Sequence, residues 1–159
     1  LENMGADIEW NNIRKEAGEL VGDVHIFSQP LHGLHIMEDL IPTVIDEIPI
    51  IAILASQADS PTVIEGAAEL RVKESDRIKA ICQNLKSMCA EVIEKQDGLI
   101  INPVTRLQHT YIKTFGDHRI AMAFTIAGLL TSQRNTLDDE KCINISFPEF
   151  PDILSQICH

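Results

Sequence analysis

"DEIPIIAILAS" (Asp46–Ser56) and "DHRIAMAFTIA" (Asp117–Ala127) decide how this chain is read. Each opens on an aspartate and runs into residues that are apolar on almost every side, and the two stand 71 residues apart. An aspartate ahead of such a run marks a helix start, where a carboxylate meets free N–H groups and the positive end of the dipole. A helix that is apolar all round has to be buried between other elements. Pro49 suits the first turn of its helix, where a missing N–H costs nothing.

The pairing extends outward. "LENMGADIEW" (Leu1–Trp10) matches "LKSMCAEVIE" (Leu85–Glu94), each a helix end, a methionine, a small pair, an acid and a strand, at an offset of 84. "SQPL" (Ser28–Leu31) matches "INPV" (Ile101–Val104) at 73. The shrinking offset places a longer insertion in the first copy, at about 11–23, whose glycines and charges read as a loop. A unit this long exceeds the common solenoid repeats. It implies a compact α/β unit used twice, over residues 1–84 and 85–159. In the first copy the pattern predicts strands at 6–10, 24–28, 33–37 and 61–65, with helices at 46–57 and 75–88. In the second it predicts strands at 91–95, 98–102, 109–113 and 142–146, a helix at 117–131 and a last one ending near 157. Ile78, Ile81, Leu85 and Met88 have the spacing of an amphipathic helix, and "SFPEF" (Ser146–Phe150) offers a capping box before the last helix.

Bulk properties narrow the classes. The 159 residues can build one domain with a sizeable core, and 45% hydrophobic with 23% charged residues is ordinary for a folded soluble protein. A net charge of −11 argues against nucleic acid or an acidic membrane surface as partner. The longest apolar run, Ile120–Leu130, is too short to span a bilayer, and no signal peptide opens the chain, so a cytoplasmic location is expected. Cys82, Cys89, Cys142 and Cys158 lack any CxxC spacing. A zinc site using them with His118 or His159 is the lesser reading beside reduced, mostly buried thiols. The opening Leu1 within an apparent helix end suggests a piece of a longer chain.

The cations need a different explanation. In "ELRVKESDRI" (Glu69–Ile78), Lys73 and Arg77 flank a helix start, and Arg119 follows Asp117 within the first turn of another. Each opposes the helix dipole, at a cost of about 0.3–1 kcal/mol. Free N–H groups at such ends already favour an anion, and added Lys and Arg suit one that is multiply charged, as a phosphate or carboxylate ligand would be. With Asp46 and Glu74 nearby, the set is two carboxylates for proton transfer and three cations for anion binding. Taken singly, the aspartates read as caps, Glu74 with Arg77 as a surface pair, and His118 as a satisfied polar residue.

At "ELRVKESDRI", "FGDHRIAMAF" (Phe115–Phe124) and "IDEIPIIAILA" (Ile45–Ala55) the chain resembles the 5-enolpyruvylshikimate-3-phosphate synthases, in order and spacing, over essentially its whole length. "ELRVKESDRI" with "SFPEF" resembles the bacterial, glyphosate-insensitive-type sequences more than the enteric type. The resemblance implies an α/β (α+β) fold, an inverse α/β barrel of βαβαββ units. About two of three units of the C-terminal domain would be here, with the N-terminal domain absent and the active site in the cleft between domains. It implies transfer of the enolpyruvyl group of phosphoenolpyruvate to the 5-hydroxyl of shikimate-3-phosphate, with release of phosphate and no cofactor or metal. By motif matching, Asp46 accepts the hydroxyl proton, Glu74 protonates the methylene carbon and Lys73 contacts shikimate-3-phosphate near the reacting hydroxyl. Arg77 and Arg119 bind phosphoenolpyruvate, while Asp117 and His118 position. Two places depart from the enteric pattern: Ile145 stands where some members carry a phosphoenolpyruvate-binding lysine, and Glu69 where some carry an asparagine.

The nearest rival is the enolpyruvyl transferase acting on UDP-N-acetylglucosamine, against which "VKESDR" and "DHRIAM" argue. A rival of another class is a fragment without turnover, at most a weak anion-binding module, whose bare cleft face would favour self-association.

Overall fold

The computed structural model describes residues 1–158, so His159 lies outside the described residues. In chain order the elements are strands β1 (Asp7–Glu16), β2 (Glu19–Phe27) and β3 (His35–Ile36), the one-turn helix α1 (Ile41–Val44) and α2 (Ile48–Ala55). Then come β4 (Thr62–Ile64), α3 (Arg77–Ser87), β5 (Val92–Lys95), β6 (Gly98–Ile101) and β7 (Tyr111–Ile112). The chain finishes with α4 (His118–Gly128), β8 (Thr136–Leu137) and α5 (Phe150–Ile157).

One four-stranded sheet, in the order β3-β4-β6-β5, forms the middle of the molecule. β3 lies parallel to β4, and the other neighbours are antiparallel, with Thr62 opposite Ile101 and Val92 opposite Ile101 on its other side. Because β3 and β4 are parallel, they need a crossover, which α2 supplies; α3 then links β4 to β5. The stretch from β3 to β6 is therefore one complete βαβαββ unit. Ahead of it stands the β1–β2 hairpin, and behind it β7, α4, β8 and α5 repeat the βαβα half, with β7 parallel to β8. The chain thus carries two units' worth of elements in the frame ββ, βαβαββ, βαβα. The boundary expected between residues 84 and 85 falls inside α3, within the complete unit.

The repeat survives at atomic detail. Met4 and Met88 are both buried, and each precedes a residue in the left-handed region, Gly5 at φ 86° and Cys89 at φ 65°. The Ala6 N–H donates to Leu1 O (3.3 Å) and the Ala90 N–H to Leu85 O (2.9 Å), the same closing bond in both copies. At the end of α3 this bond and Cys89 N–H to Lys86 O (3.0 Å) form a Schellman motif.

No residue of α2 or α4 is fully exposed, as their apolar surfaces require. Ile48 and Ile53 of α2, Phe124 of α4, and Ile78, Ile81 and Leu85 of α3 share one core cluster. Gly98 admits β6 against β4: a Cβ there would lie 1.9 Å from the Ile64 carbonyl oxygen.

Several local expectations are corrected. The supposed loop at 11–23 is the outer half of the hairpin. Ile8 opposes Ile26 and Trp10 opposes Val24, while Ala17 and Gly18, both at positive φ, make the two-residue turn that such a hairpin favours. The strand expected at 142–146 is a 3-10 turn, Lys141–Ile145. Its adjacent Cys142 and Ile143 both pack against Ala121, which an alternating strand could not arrange. The strand that pairs with β7 lies earlier, at β8. Ser146 does not cap α5; Glu149 holds the cap position without a side-chain bond, and Pro151 fits the first turn, where it needs no N–H partner. Of the four free thiols only Cys82 and Cys142 are buried, and burial pushes Cys82 up to about 11. Among the described residues no helix is long and apolar enough to cross a membrane.

Candidate active site

Arg77, the first residue of α3, is the hub. Its helix start is capped by Asp76, whose carboxylate accepts the Lys79 N–H (3.0 Å). The Arg77 side chain is 2% exposed, yet none of its nitrogens lacks a partner. Nε donates to Asp117 Oδ2 (2.8 Å), Nη1 to Asp46 Oδ1 (2.9 Å), and Nη2 to Glu74 Oε2 and, at 3.4 Å, to Asp117 Oδ1. One planar guanidinium so gathers three carboxylates from three segments. Burial disfavours its charge, but the hydrogen bond and charge of Asp117, the Asp46 hydrogen bond and the Glu74 charge outweigh that and raise its pKa.

Asp117 is wholly buried and caps α4, accepting the N–H groups of Arg119 (2.9 Å) and Ile120 (3.4 Å) on Oδ1, while Ser75 donates its hydroxyl to Oδ2 (3.0 Å). The chain reaches it through a turn closed by Asp117 N–H to Thr114 O (3.0 Å), with Phe115 at φ 56° and Gly116 at φ 70°. That conformation is open to Gly116 and costs Phe115 about 1 kcal/mol. Burial pushes the Asp117 carboxyl up, but the Arg77 hydrogen bond and charge, with the Ser75 bond, hold it below the usual aspartate value.

Asp46 differs from its sequence counterpart. It sits in a 3-10 turn, Ile45–Glu47, ahead of α2, makes no cap bond, and is 48% exposed. The expected equivalence of Asp46 and Asp117 as helix caps is thus corrected: the extra turn leaves Asp46 short of the α2 N–H groups. Arg119 reaches across from α4, its Nη1 donating to the Asp46 carbonyl (3.0 Å) and to Glu47 Oε1 (3.0 Å), with Nη2 3.6 Å from Asp46 Oδ2. Glu74 is 52% exposed and lies 3.6 Å from His118 Nδ1. Lys73 pairs with Glu69 at 2.7 Å.

Of the residues singled out from sequence, Asp46, Glu74, Arg77, Asp117, His118 and Arg119 form one linked network. Lys73 stands beside it through the chain, paired among the described residues to Glu69 alone. Sequence reasoning passed over Glu47, adjacent to Asp46, and Ser75, inside "KESDR"; their places next to two singled-out residues were the available signal. Ile145 is exposed. Glu74, Asp117 and His118 bring one ligand atom each within 4.8 Å of one another. A cation there would meet the Arg77 guanidinium and an Asp117 whose oxygens are already engaged, so the donor set fits an anion network better than a metal. Asp46, Glu47 and Arg119 border a cavity of about 150 Å³ whose other walls include Pro49, Met122 and Phe150. A larger one, about 190 Å³ between α4 and α5, touches none of the predicted site residues.

One complete βαβαββ unit flanked by parts of its repeats, with carboxylates gathered on a buried guanidinium, points to a class, the enolpyruvyl transferase fold. The enolpyruvyl transferase NikO from Streptomyces tendae superposes with a TM-score of 0.65 at 16% identity over 98% of this chain and 33% of its own, a likeness of fold alone. EPSP synthase from Acinetobacter baumannii superposes with a TM-score of 0.92 at 40% identity, over 98% of this chain and 37% of its own. The 3-phosphoshikimate 1-carboxyvinyltransferase of Sulfurihydrogenibium sp. is 45% identical over 157 residues, 99% of this chain and 36% of that protein. The family model for EPSP synthase (3-phosphoshikimate 1-carboxyvinyltransferase) matches residues 1–154, and the chain belongs to that family. It spans little more than a third of the length of the curated relatives it matches.

Proposed function

We propose that this chain supplies one face of an active site that transfers the enolpyruvyl group of phosphoenolpyruvate to the 5-hydroxyl of shikimate-3-phosphate. The observation that carries the reading is that Asp46 and Glu74, from separate segments, rest on neighbouring nitrogens of one buried guanidinium. Two half-exposed carboxylates held around a fixed cation can serve as acid and base on either side of a bound anion.

In this scheme the 5-hydroxyl oxygen bonds to the central carbon of phosphoenolpyruvate as Asp46 takes its proton and Glu74 gives one to the methylene carbon. Loss of phosphate and of a methyl proton then restores the vinyl group. Lys73 contacts shikimate-3-phosphate near the hydroxyl. Arg77 and Arg119 hold phosphoenolpyruvate: its anionic oxygens replace the exposed acids on the outer N–H groups of Arg77, while buried Asp117 stays bonded to Nε. Asp117 and His118 position, the first by fixing Arg77 and the start of α4, the second beside Glu74. No cofactor enters the scheme.

The partner of the chain is the remainder of a longer polypeptide, which would bring the rest of the shikimate-3-phosphate site. That reading is supported by the length of the relatives and by Trp10, Val24 and Ile26, which leave one face of the hairpin apolar and exposed. By itself the chain is expected to lack turnover and to self-associate through that face. Four free thiols favour the cytoplasm for the whole protein. The test is turnover of the full-length protein with Asp46→Asn and Glu74→Gln. Each is expected to lower kcat at least 100-fold while KM for phosphoenolpyruvate changes by less than about fivefold. Unchanged kcat in both would sink the assignment.

A further inference from the structure

We infer that Glu47 and Glu69 are built-in counter-anions that occupy Arg119 and Lys73 until a substrate anion displaces them, and so tune the affinity of the site; this rests on the anion-binding reading above. Five carboxylates surround three cations, Arg77 and Arg119 in the network and Lys73 beside it. Asp46, Glu74 and Asp117 converge on Arg77. The side chains of Glu47 and Glu69 touch one cation each and no other polar partner among the described residues: Glu47 Oε1 lies 3.0 Å from Arg119 Nη1, and Glu69 Oε1 lies 2.7 Å from Lys73 Nζ.

The asymmetry of these pairs makes them exchangeable. The acids are 59% and 64% exposed, the cations 30% and 27%, so the cation is the anchored member and the acid the loose one. Arg119 keeps its place when Glu47 leaves, because the same Nη1 also donates to the Asp46 carbonyl. Glu47 stands at the N-cap position of α2 yet makes no cap bond; its carboxylate reaches across to Arg119 instead of turning to the helix N–H groups. Glu47 and Arg119 border the 150 Å³ cavity at this end of the network. A carboxylate resting on a binding cation lowers the fraction of competent site and raises the apparent Kd in proportion. A single exposed carboxylate is a weak competitor, so a multiply charged ligand displaces it where a monoanion does not.

The experiment is a binding titration of the full-length protein with phosphoenolpyruvate and, separately, acetate, for the wild type, Glu47→Ala, Glu69→Ala and the double variant. Glu9→Ala, an exposed acid on β1, controls for the general loss of negative charge. Each site variant is expected to bind phosphoenolpyruvate about two- to fivefold tighter, with roughly multiplicative gains in the double, and Glu9→Ala to leave affinity unchanged. Acetate is expected to gain more than phosphoenolpyruvate does. Equal affinity in all forms, or an equal gain in Glu9→Ala, overturns the role of Glu47 and Glu69 while leaving the anion site standing. Binding in none of them overturns the anion-site reading and this inference together.

Discussion

Asp46 and Asp117 open matching apolar helices in the two copies of the repeat, yet one is half exposed and the other is sealed in the core. The difference comes from what precedes each. A tight turn through Phe115 and Gly116 delivers Asp117 to the N-cap of α4, where it satisfies two backbone N–H groups and binds Arg77. An added 3-10 turn holds Asp46 outside α2, so that among the described residues Arg77 and Arg119 are its only side-chain partners. Equivalent positions in a repeat have been put to different uses: one aspartate builds the frame, the other stays half exposed at the edge of the network.

The largest effect expected from breaking this comparison is that of Arg77→Met. It leaves Asp117 buried without its counter-charge and should destabilise the chain by about 3–5 kcal/mol, read by urea unfolding. Asp117→Asn should cost less, about 1–3 kcal/mol, since a polar group of the same shape remains but loses its charge-assisted bonds. The same variant should change the acid limb. With its folded pKa below the ordinary aspartate value, Asp117 contributes stability that is complete above about pH 4 and lost as pH falls through the lower folded value. Asp117→Asn should therefore flatten the slope of stability against pH in that window, and an unchanged slope would mean that another carboxylate drives acid unfolding.

Asp46→Asn is the matched test of the other copy. A half-exposed partner is expected to shift stability by less than about 1 kcal/mol, and a cost equal to that of Asp117→Asn would erase the contrast. The smallest expected effect sharpens the repeat itself. Cys89→Gly puts into the second copy the residue that Gly5 supplies in the first, and relief of the left-handed strain should add about 1 kcal/mol to stability.

How far these features were legible depended on the range of the interactions that made them. The buried helices, the amphipathic face of α3 and strands β5 and β6 follow from apolar periodicity and were readable. The inner strand halves of the hairpin were too, but its outer half was not, because its polar turn region and a bulge between Asn11 and Arg14 conceal the alternation there. Nor was the 3-10 turn at 141–145, where "CINI" has strand composition but packs as a cap on α4. Six of the seven predicted site residues meet in one network. That Arg77 would be buried among three acids could not be seen, since its partners stand up to 40 residues away.

From the sequence alone come the repeat, the family and the chemical types at the site, because each is carried by residue identity and spacing along the chain. The frame ββ, βαβαββ, βαβα and the separate fates of Asp46 and Asp117 were settled only in three dimensions. So were the pairing of Arg119 with Glu47 and that of Lys73 with Glu69. Strand pairing, burial and charge pairing depend on which distant segments meet, and local propensity holds no record of that meeting.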